Sequence, residues 1–447
     1  MPGHDHETLV PLAEVQRLAL GPARPLAPVR LPVDDALGCV LASDVVAVED
    51  VPPFANTAMD GYAVRSGDTA GAPVDLTVVG VLGAGTAPTV AVGPGEAIQI
   101  MTGAPIPPGA DGIAIVERTE ALGAGPDGRQ RVRVLDAVEP GNHFRAAGSD
   151  LPAGSLAVAA GTVLSPAHIG VLASVGAGVV SVHPRPRVGV MITGDELVEL
   201  AADGSAPPLS PGQIRDSNRH AMLATLRRDG FEAVDLGLAA DTEAAVTAGL
   251  ERALHSCDAV LTTGGVSKGE FDYVKVVLGK LGAVGGGGDV HELSVAIRPA
   301  KPLVISWLPG TEAGGASRLV PVFGLPGNPV SSLVSYQAIA LPVLRVLAGH
   351  PAATPPTVPA VAGDGFRRHR DGKTHLVRVE ARWGDDGRLS AHAVGGQMSH
   401  QLGGMALANG LAIVPDGEGV PEGELVHVVL FGPIEPYVSS SAGSTEM

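Results

Sequence analysis

Val188-Gly-Val-Met-Ile-Thr193-Gly194-Asp195-Glu196 is a short β-branched, apolar run that breaks into an acidic turn. It opens a segment, about 186–348, in which such runs alternate with amphipathic stretches of helix length. A helix is expected from near Asp216, with Met222, Leu223 and Leu226 on one side and Gly230 ending it. Phe231 to Leu238 reads as the next strand, and a helix from Asp241 carries Val246, Leu250 and Leu254 one turn apart. Ala259-Val-Leu-Thr-Thr263 gives a third strand and Phe271 to Leu281 a third helix. Leu303 to Trp307 adds a strand, and Val320 to Phe323 is the last before a helix over Ser331 to Leu347. The alternation predicts a central doubly wound α/β domain with a parallel sheet.

Upstream, Leu9, Leu12, Val15, Leu18 and Ala19 predict a helix over Thr8 to Leu20 whose partner is not local. Between about 74 and 149, Leu76-Thr-Val-Val79, Ala97-Ile-Gln-Ile100, Gly112-Ile-Ala-Ile-Val116 and Arg131-Val-Arg-Val134 are separated by Gly and Pro turns, as in a small β domain. Leu151 to Val182 lacks Asp, Glu, Lys and Arg and is long enough to span a bilayer. Pro152, Gly154, Gly161, Pro166, Gly170 and Gly176 interrupt it, so two short buried elements are expected and no membrane span. Beyond the Pro-rich linker after His350, His375-Leu-Val-Arg-Val379, Leu411-Ala-Ile-Val414 and Glu424 to Leu430 read as strands of a small barrel or sandwich. Ser439 to Met447 reads as a disordered tail.

A chain of 447 residues implies about three or four domains. Thirty basic against 47 acidic residues leave a net charge of −17, which argues against a broad grip on nucleic acid or anionic membrane but not against local basic pockets. Cys39 and Cys257 are too few for a disulfide scaffold or a thiolate cluster, and with no secretory signal visible a reducing cytoplasm is expected.

In a doubly wound sheet, ligands bind beyond the carboxyl ends of strands. Three glycine-bearing turns are expected there: Thr193-Gly194-Asp195-Glu196, Thr263-Gly264-Gly265-Val-Ser267-Lys268, and Gly324-Leu-Pro-Gly327-Asn328-Pro-Val-Ser331, the last opening into a helix. Close-approaching amides and a helix N-terminus favour phosphate or another oxyanion. No Walker A sequence and no dinucleotide fingerprint is present. Asp195, Glu196, Asp241 and Asp272 fall on the same expected edge, and carboxylates beside a phosphate site call for a shared Mg²⁺. Taken alone, Asp241 reads rather as a helix cap. Lys301, in Arg298-Pro-Ala-Lys301-Pro, sits with Arg298 in a rigid loop able to aim both cations at an anion.

These motifs, with Asn56-Thr-Ala-Met59-Asp60-Gly61-Tyr62-Ala63, Met101-Thr102-Gly103-Ala-Pro105 and Asp272-Tyr273, resemble in order the MoeA family of molybdopterin molybdenumtransferases, from about residue 8 to 435. The resemblance implies a homodimer with a segmented helical domain (about 8–50 and 150–182), an inserted β-rich arm (51–149), an α/β molybdopterin-binding domain (183–348) and a C-terminal β barrel-like domain (349–437). It implies insertion of molybdate into adenylated molybdopterin with release of AMP, assisted by Mg²⁺. Catalytic roles fall to Asp60, Thr102, Glu196, Asp272 and Lys301. Substrate contacts fall to Thr193, Gly194, Gly264, Gly265, Ser267, Lys268, Arg298, Gly327, Asn328, Ser331 and Ser399, the last in Gln397-x-Ser399-His400. A molybdopterin adenylyltransferase is an implied partner. The usual Lys-Pro-Gly-Lys-Pro of the family stands here as Arg298-Pro-Ala300-Lys301-Pro, which introduces strain if that glycine needs positive φ. Two other readings are an idle binding or scaffold protein of the same fold and an ATP-dependent adenylyltransferase.

Overall fold

The computed structural model describes residues 8–265, 272–284, 289–311 and 317–434. By its contacts the chain forms two compact units, residues up to 29 with those from 183 onward, and residues 30–182.

In the first unit, helix α1 (Leu12–Leu20) begins at Leu12 and not at the expected Thr8. Pro11 explains the difference: it holds Val10 extended, and Val10 instead exchanges backbone hydrogen bonds with Ser294 and Ala296. The α/β domain follows as β1 (Arg187–Thr193), α2 (Asn218–Arg228), β2 (Glu232–Ala239), α3 (Glu243–Ser256), β3 (Ala259–Thr263), α4 (Tyr273–Val284), β4 (Val290–Ser294), β5 (Ile297–Arg298), β6 (Pro302–Thr311), β7 (Ser317–Leu325) and the long helix α5 (Pro329–Leu347).

The sheet order is β2-β1-β3-β7-β6-β4. The first four strands are parallel, as expected, whereas β6 and β4 run antiparallel, so the sheet is mixed. Too few residues separate β6 from β7 for a helical crossover, which leaves only a hairpin. Alternation along β1 sends Val188, Val190 and Ile192 to one side, with Met222, Leu223 and Leu226 of α2. Met191 points to the other side, with Val246 and Leu250 of α3. Both faces are therefore helix-covered, and the edge of strand ends is what remains open to ligands. Helix α5, the one described helix long and apolar enough to cross a bilayer, has 78% of its apolar window buried, as a core helix does; α1 packs on it through Gln16 Nε2, which donates to Ala338 O at 2.8 Å.

The C-terminal region contributes β8 (Thr357–Ala362), β9 (Thr374–Trp383), β10 (Leu389–Ala393), β11 (Gly410–Val414) and β12 (Leu425–Leu430). They pair in the cycle β9-β10-β8-β12-β11-β9, which closes a five-strand barrel. Its lining is small and branched, with Ala360, Val379, Ala391, Ala412 and Val428 all buried.

The second unit holds a six-stranded sheet in which Gly61–Val64 lies between Gly112–Ile115 and Glu96–Ile100. Leu151 to Val182 forms three elements where two were expected: strand Leu156–Val158, helix Pro166–Ser174 and strand Val179–His183. Pairing of Val40 with Val163 and Val46 with Leu156 joins the two stretches that flank the arm.

Candidate functional site

The turns after β1, β3 and β7 meet at one sheet edge. Gly194 has φ +152°, and a Cβ there would lie 2.7 Å from a Glu196 carboxylate oxygen, so only glycine lets that carboxylate fold back over its own turn. Gly264 has φ +89° and its would-be Cβ falls 2.5 Å from Thr193 O, which packs the second turn directly on the first. Asn218, at the start of α2, ties in the third: its Nδ2 donates to Gly327 O at 2.7 Å and to Thr263 Oγ1 at 3.2 Å. These turns enclose a cleft of about 520 Å³ lined by Thr193, Glu196, Asn218, Gly264, Gly327 and Asn328.

Asp241 does not cap α3. Thr242 does, accepting from Ala245 N at 3.3 Å, because its hydroxyl is one residue nearer the first turn. Asp241 instead donates its peptide N–H to Asp195 Oδ1 at 3.2 Å. Burial first, then the Asp195 and Glu196 charges, hold the Asp241 carboxyl above its ordinary pKa. Neither Asp195 nor Glu196 caps a helix, since the chain continues from them into a short strand, Leu197–Val198. Among the described residues no three His, Cys, Asp or Glu side chains converge as a metal-holding group, so Asp195, Glu196, Asp241 and Asp272 do not form one cage. Asp241, with its raised pKa, and the carboxylates crowded beside it still suit a divalent cation that takes one or two protein oxygens and completes its shell from phosphates.

Beyond Asn328 the cleft runs into a cavity of about 280 Å³ lined by Arg298, Lys301, Asn328, Ser331, Lys373 and Ser399. Three cations meet here because β5 leaves the α/β domain and pairs in parallel with β9 of the barrel, Ile297 opposite Thr374 and Arg298 opposite His375. Lys373 is thereby brought beside the Arg298–Lys301 loop. That loop turns at Ala300, which is 4% exposed and has φ +82°, the left-handed backbone in which an L side chain is strained. Gln397, Met398 and Ser399 form a rim of this cavity, and their loop is held by Arg378, which is 1% exposed and has no ion-pair partner among the described residues. Burial lowers its pKa, and its guanidinium donates to Gly396 O and, at 3.2 Å, to Met398 O. Its peptide N–H donates to Gln397 Oε1 at 3.0 Å. Ser399 O accepts from Val330 N at 3.1 Å, fastening the rim to the first turn of α5.

In the second unit, Asp60 and Thr102 are brought together. Asp60 Oδ1 accepts from Thr102 N at 2.6 Å and from Thr102 Oγ1 at 2.8 Å, and these bonds hold the exposed carboxyl below its ordinary pKa.

Thr193, Gly194, Glu196, Gly264, Gly327 and Asn328 gather at the cleft, and Arg298, Lys301, Ser331 and Ser399 at the adjoining cavity. Gly265 packs beside Gly264, and Asp272 directly precedes α4. Ser267 and Lys268 lie outside the described residues. The sequence reading missed Asn218, Lys373 and Arg378. Lys373 is one of only five lysines in the chain, and that scarcity is the signal that could have singled it out.

Three family models match the chain: MoeA N-terminal region (domain I and II) over residues 10–176, probable molybdopterin binding domain over 189–346, and MoeA C-terminal region (domain IV) over 360–431. The chain is 37% identical over 407 residues to molybdopterin molybdenumtransferase 2 of Mycobacterium tuberculosis, covering 90% of this chain and 95% of that one. It is 37% identical over 395 residues to the molybdopterin molybdenumtransferase of a Nostoc species, covering 86% and 84%. The crystal structure of a molybdopterin biosynthesis MoeA protein from Pyrococcus horikoshii superposes with a TM-score of 0.73 at 29% identity, covering 95% of this chain and all of that one.

Proposed function

The chain belongs to the MoeA family, and from that premise we propose that it is a molybdopterin molybdenumtransferase, which inserts molybdate into adenylated molybdopterin and releases AMP. The observation that carries this reading is the continuity of two unlike sites. A cleft of peptide turns and carboxylates opens, through Asn328, into a cavity ringed by Arg298, Lys301 and Lys373.

The second cavity suits a tetrahedral dianion. Three cations more than offset its two negative charges, and the hydroxyls of Ser331 and Ser399 offer short donors to its oxygens. The first suits the phosphoanhydride, because turns built on Gly194, Gly264 and Gly327 bring backbone close to the phosphates. Asp241 and Asp195, with Glu196 beside them, would hold Mg²⁺, whose chemistry is to neutralise phosphate charge. Asn218 keeps two of the turns at fixed spacing, so the groups meeting the anhydride need no rearrangement. The pair Asp60 and Thr102 would act on the same substrate from a second copy of the chain in a homodimer. Function in the cytoplasm is supported by two buried cysteines that form no disulfide.

The test is incubation of the purified protein with adenylated molybdopterin, molybdate and Mg²⁺. AMP release dependent on molybdate is expected, and substrate binding without AMP release rejects the reading. Glu196→Gln and Asp272→Asn are expected to lower turnover more than binding, whereas equal loss of both contradicts their assigned roles.

A further inference from the structure

Between β1 and α2 the chain makes an excursion, residues 194–217, whose two ends wall the first cleft. The ends meet as a parallel pair, Leu197 opposite Ile214 and Val198 opposite Arg215. Ile214 N donates to Glu196 O at 2.8 Å, and Asp216 N donates to Val198 O at 3.2 Å. Glu196, Leu197, Ile214 and Arg215 all line the cleft, so the carboxylate at the centre of the site rides on this strap. A parallel pair of two residues is too small to hold itself, since parallel pairing is the weaker kind and even an isolated two-stranded hairpin is marginal in water. The intervening residues 199–213 carry Pro207, Pro208 and Pro211 and are mostly exposed, so no core anchors them. The donation of Arg215 to Pro207 O is a bond within the strap itself.

What fastens the strap to the sheet is Arg219, in the first turn of α2. Its side chain is 11% exposed and lies outside the cleft lining. Nε donates to Asp216 Oδ2 at 2.9 Å, Nη2 lies 2.6 Å from Glu199 Oε1, and Nη1 donates to both carboxylate oxygens of Asp235 at 3.3 Å. Each nitrogen thus goes to an acid on a different segment: Glu199 follows the first strap strand, Asp216 follows the second, and Asp235 belongs to β2. Asp216 has a fully buried side chain, and Asp235 is fixed in turn by Gly237 N at 2.9 Å. A guanidinium is planar and rigid, so it sets directions as well as distances among the three, which an ammonium on a flexible stem does not.

We propose that Arg219 is a positioning residue, which locks both ends of the strap to β2 and so keeps Glu196 aimed into the cleft. It touches no substrate and acts through Glu196 and through its chain neighbour Asn218, which ties the other turns. The catalytic part of this inference rests on the transfer reaction proposed above; the mechanical part does not.

The experiment is hydrogen exchange of the full chain, read by mass spectrometry on peptides that carry Ile214 and Asp216, together with steady-state AMP release. Arg219→Lys keeps the charge but cannot span three acids. Glu199→Ala guards against a failure of that variant to fold, because Glu199 is 45% exposed and outside the cleft lining; circular dichroism checks both. Glu199→Ala is expected to speed exchange in those peptides roughly five-fold, and Arg219→Lys more. Arg187→Gln, which breaks a half-exposed pair with Glu232 at the far end of the same two strands, is expected to leave them unchanged. In turnover, both strap variants are expected to lower kcat about five-fold or more with KM within about two-fold of wild type. The proposal is overturned if neither variant quickens exchange, if exchange quickens while kcat stays at the wild-type value, or if KM rises at unchanged kcat, which would make the strap a binding wall. A wild-type protein that releases no AMP would count against the transfer reaction, and the exchange comparison alone would then decide whether Arg219 holds the strap.

Discussion

Ala300→Gly is expected to leave stability nearly unchanged, an unusual result for a buried alanine. Ala300 is 4% exposed and packed in the main apolar cluster, so loss of its methyl forfeits about 0.8 kcal/mol of burial. Glycine in the unfolded chain costs roughly a further 0.5–1 kcal/mol of entropy. Against these, φ of +82° places an L residue where it is strained by roughly 1–2 kcal/mol, and glycine removes that strain. The sum lies within about 1 kcal/mol of zero. Ala253, buried within α3, is the control: there glycine relieves nothing and is expected to cost about 2 kcal/mol. Urea unfolding followed by tryptophan fluorescence separates the two, because Trp307 is 6% exposed in β6 and reports on the α/β sheet, whereas Trp383 is 51% exposed. Equal destabilisation by the two substitutions would refute the claim that the loop is strained, and would leave methyl packing as the reason for an alanine at that position.

Lys373→Gln is expected to weaken molybdate binding by roughly ten-fold or more, since a charged hydrogen bond is worth about 1.5–3 kcal/mol, with its fold unaltered by circular dichroism; unchanged affinity in calorimetry would remove Lys373 from the proposed oxyanion site. Asp241→Asn is expected to raise the thermal midpoint and to weaken Mg²⁺ binding. The folded pKa of Asp241 lies above its unfolded value, so the charged form opposes folding, fully so above the folded pKa and less as pH falls through it. A lowered midpoint would show that Asp195 and Glu196 do not act on it as like charges. For Asp60 the sign is opposite: its lowered carboxyl pKa favours the fold above the unfolded value, and that contribution is lost as pH falls through the folded one. Thr102→Ala removes the hydroxyl but keeps the peptide N–H, the larger cause, so carboxyl NMR titration is expected to show the Asp60 pKa rising only part of the way to normal. A complete return would assign the whole effect to the hydroxyl.

The α/β core was legible because Val188, Val190 and Ile192 alternate and because Val246, Leu250 and Leu254 recur at a helical period. Both patterns are local. The antiparallel turn between β6 and β7 was less legible, since alternating strands read alike in either direction; only the shortness of the connection distinguishes them. The turns at Gly194, Gly264 and Gly327 could be placed because glycine marks close approach in the sequence itself. Asp241 misled as a cap because Thr242, beside it, is equally suited to the task and stands one residue closer to the helix. Lys373 and Arg378 were missed for another reason. Their place at the site depends on β5 finding β9 across a long sequence separation, and on a buried guanidinium that reads in sequence as an ordinary surface arginine.

That same crossing makes the barrel a lever on its neighbour. The loop that presents Arg298 and Lys301 is a strand of one domain grafted onto the sheet of the other, so any swing of the barrel drags both cations with it. An oxyanion held between them and Lys373, as proposed, would act as a rivet across the seam. Loading and unloading of the small inorganic substrate would in this way be felt as a change in how tightly the two domains clasp.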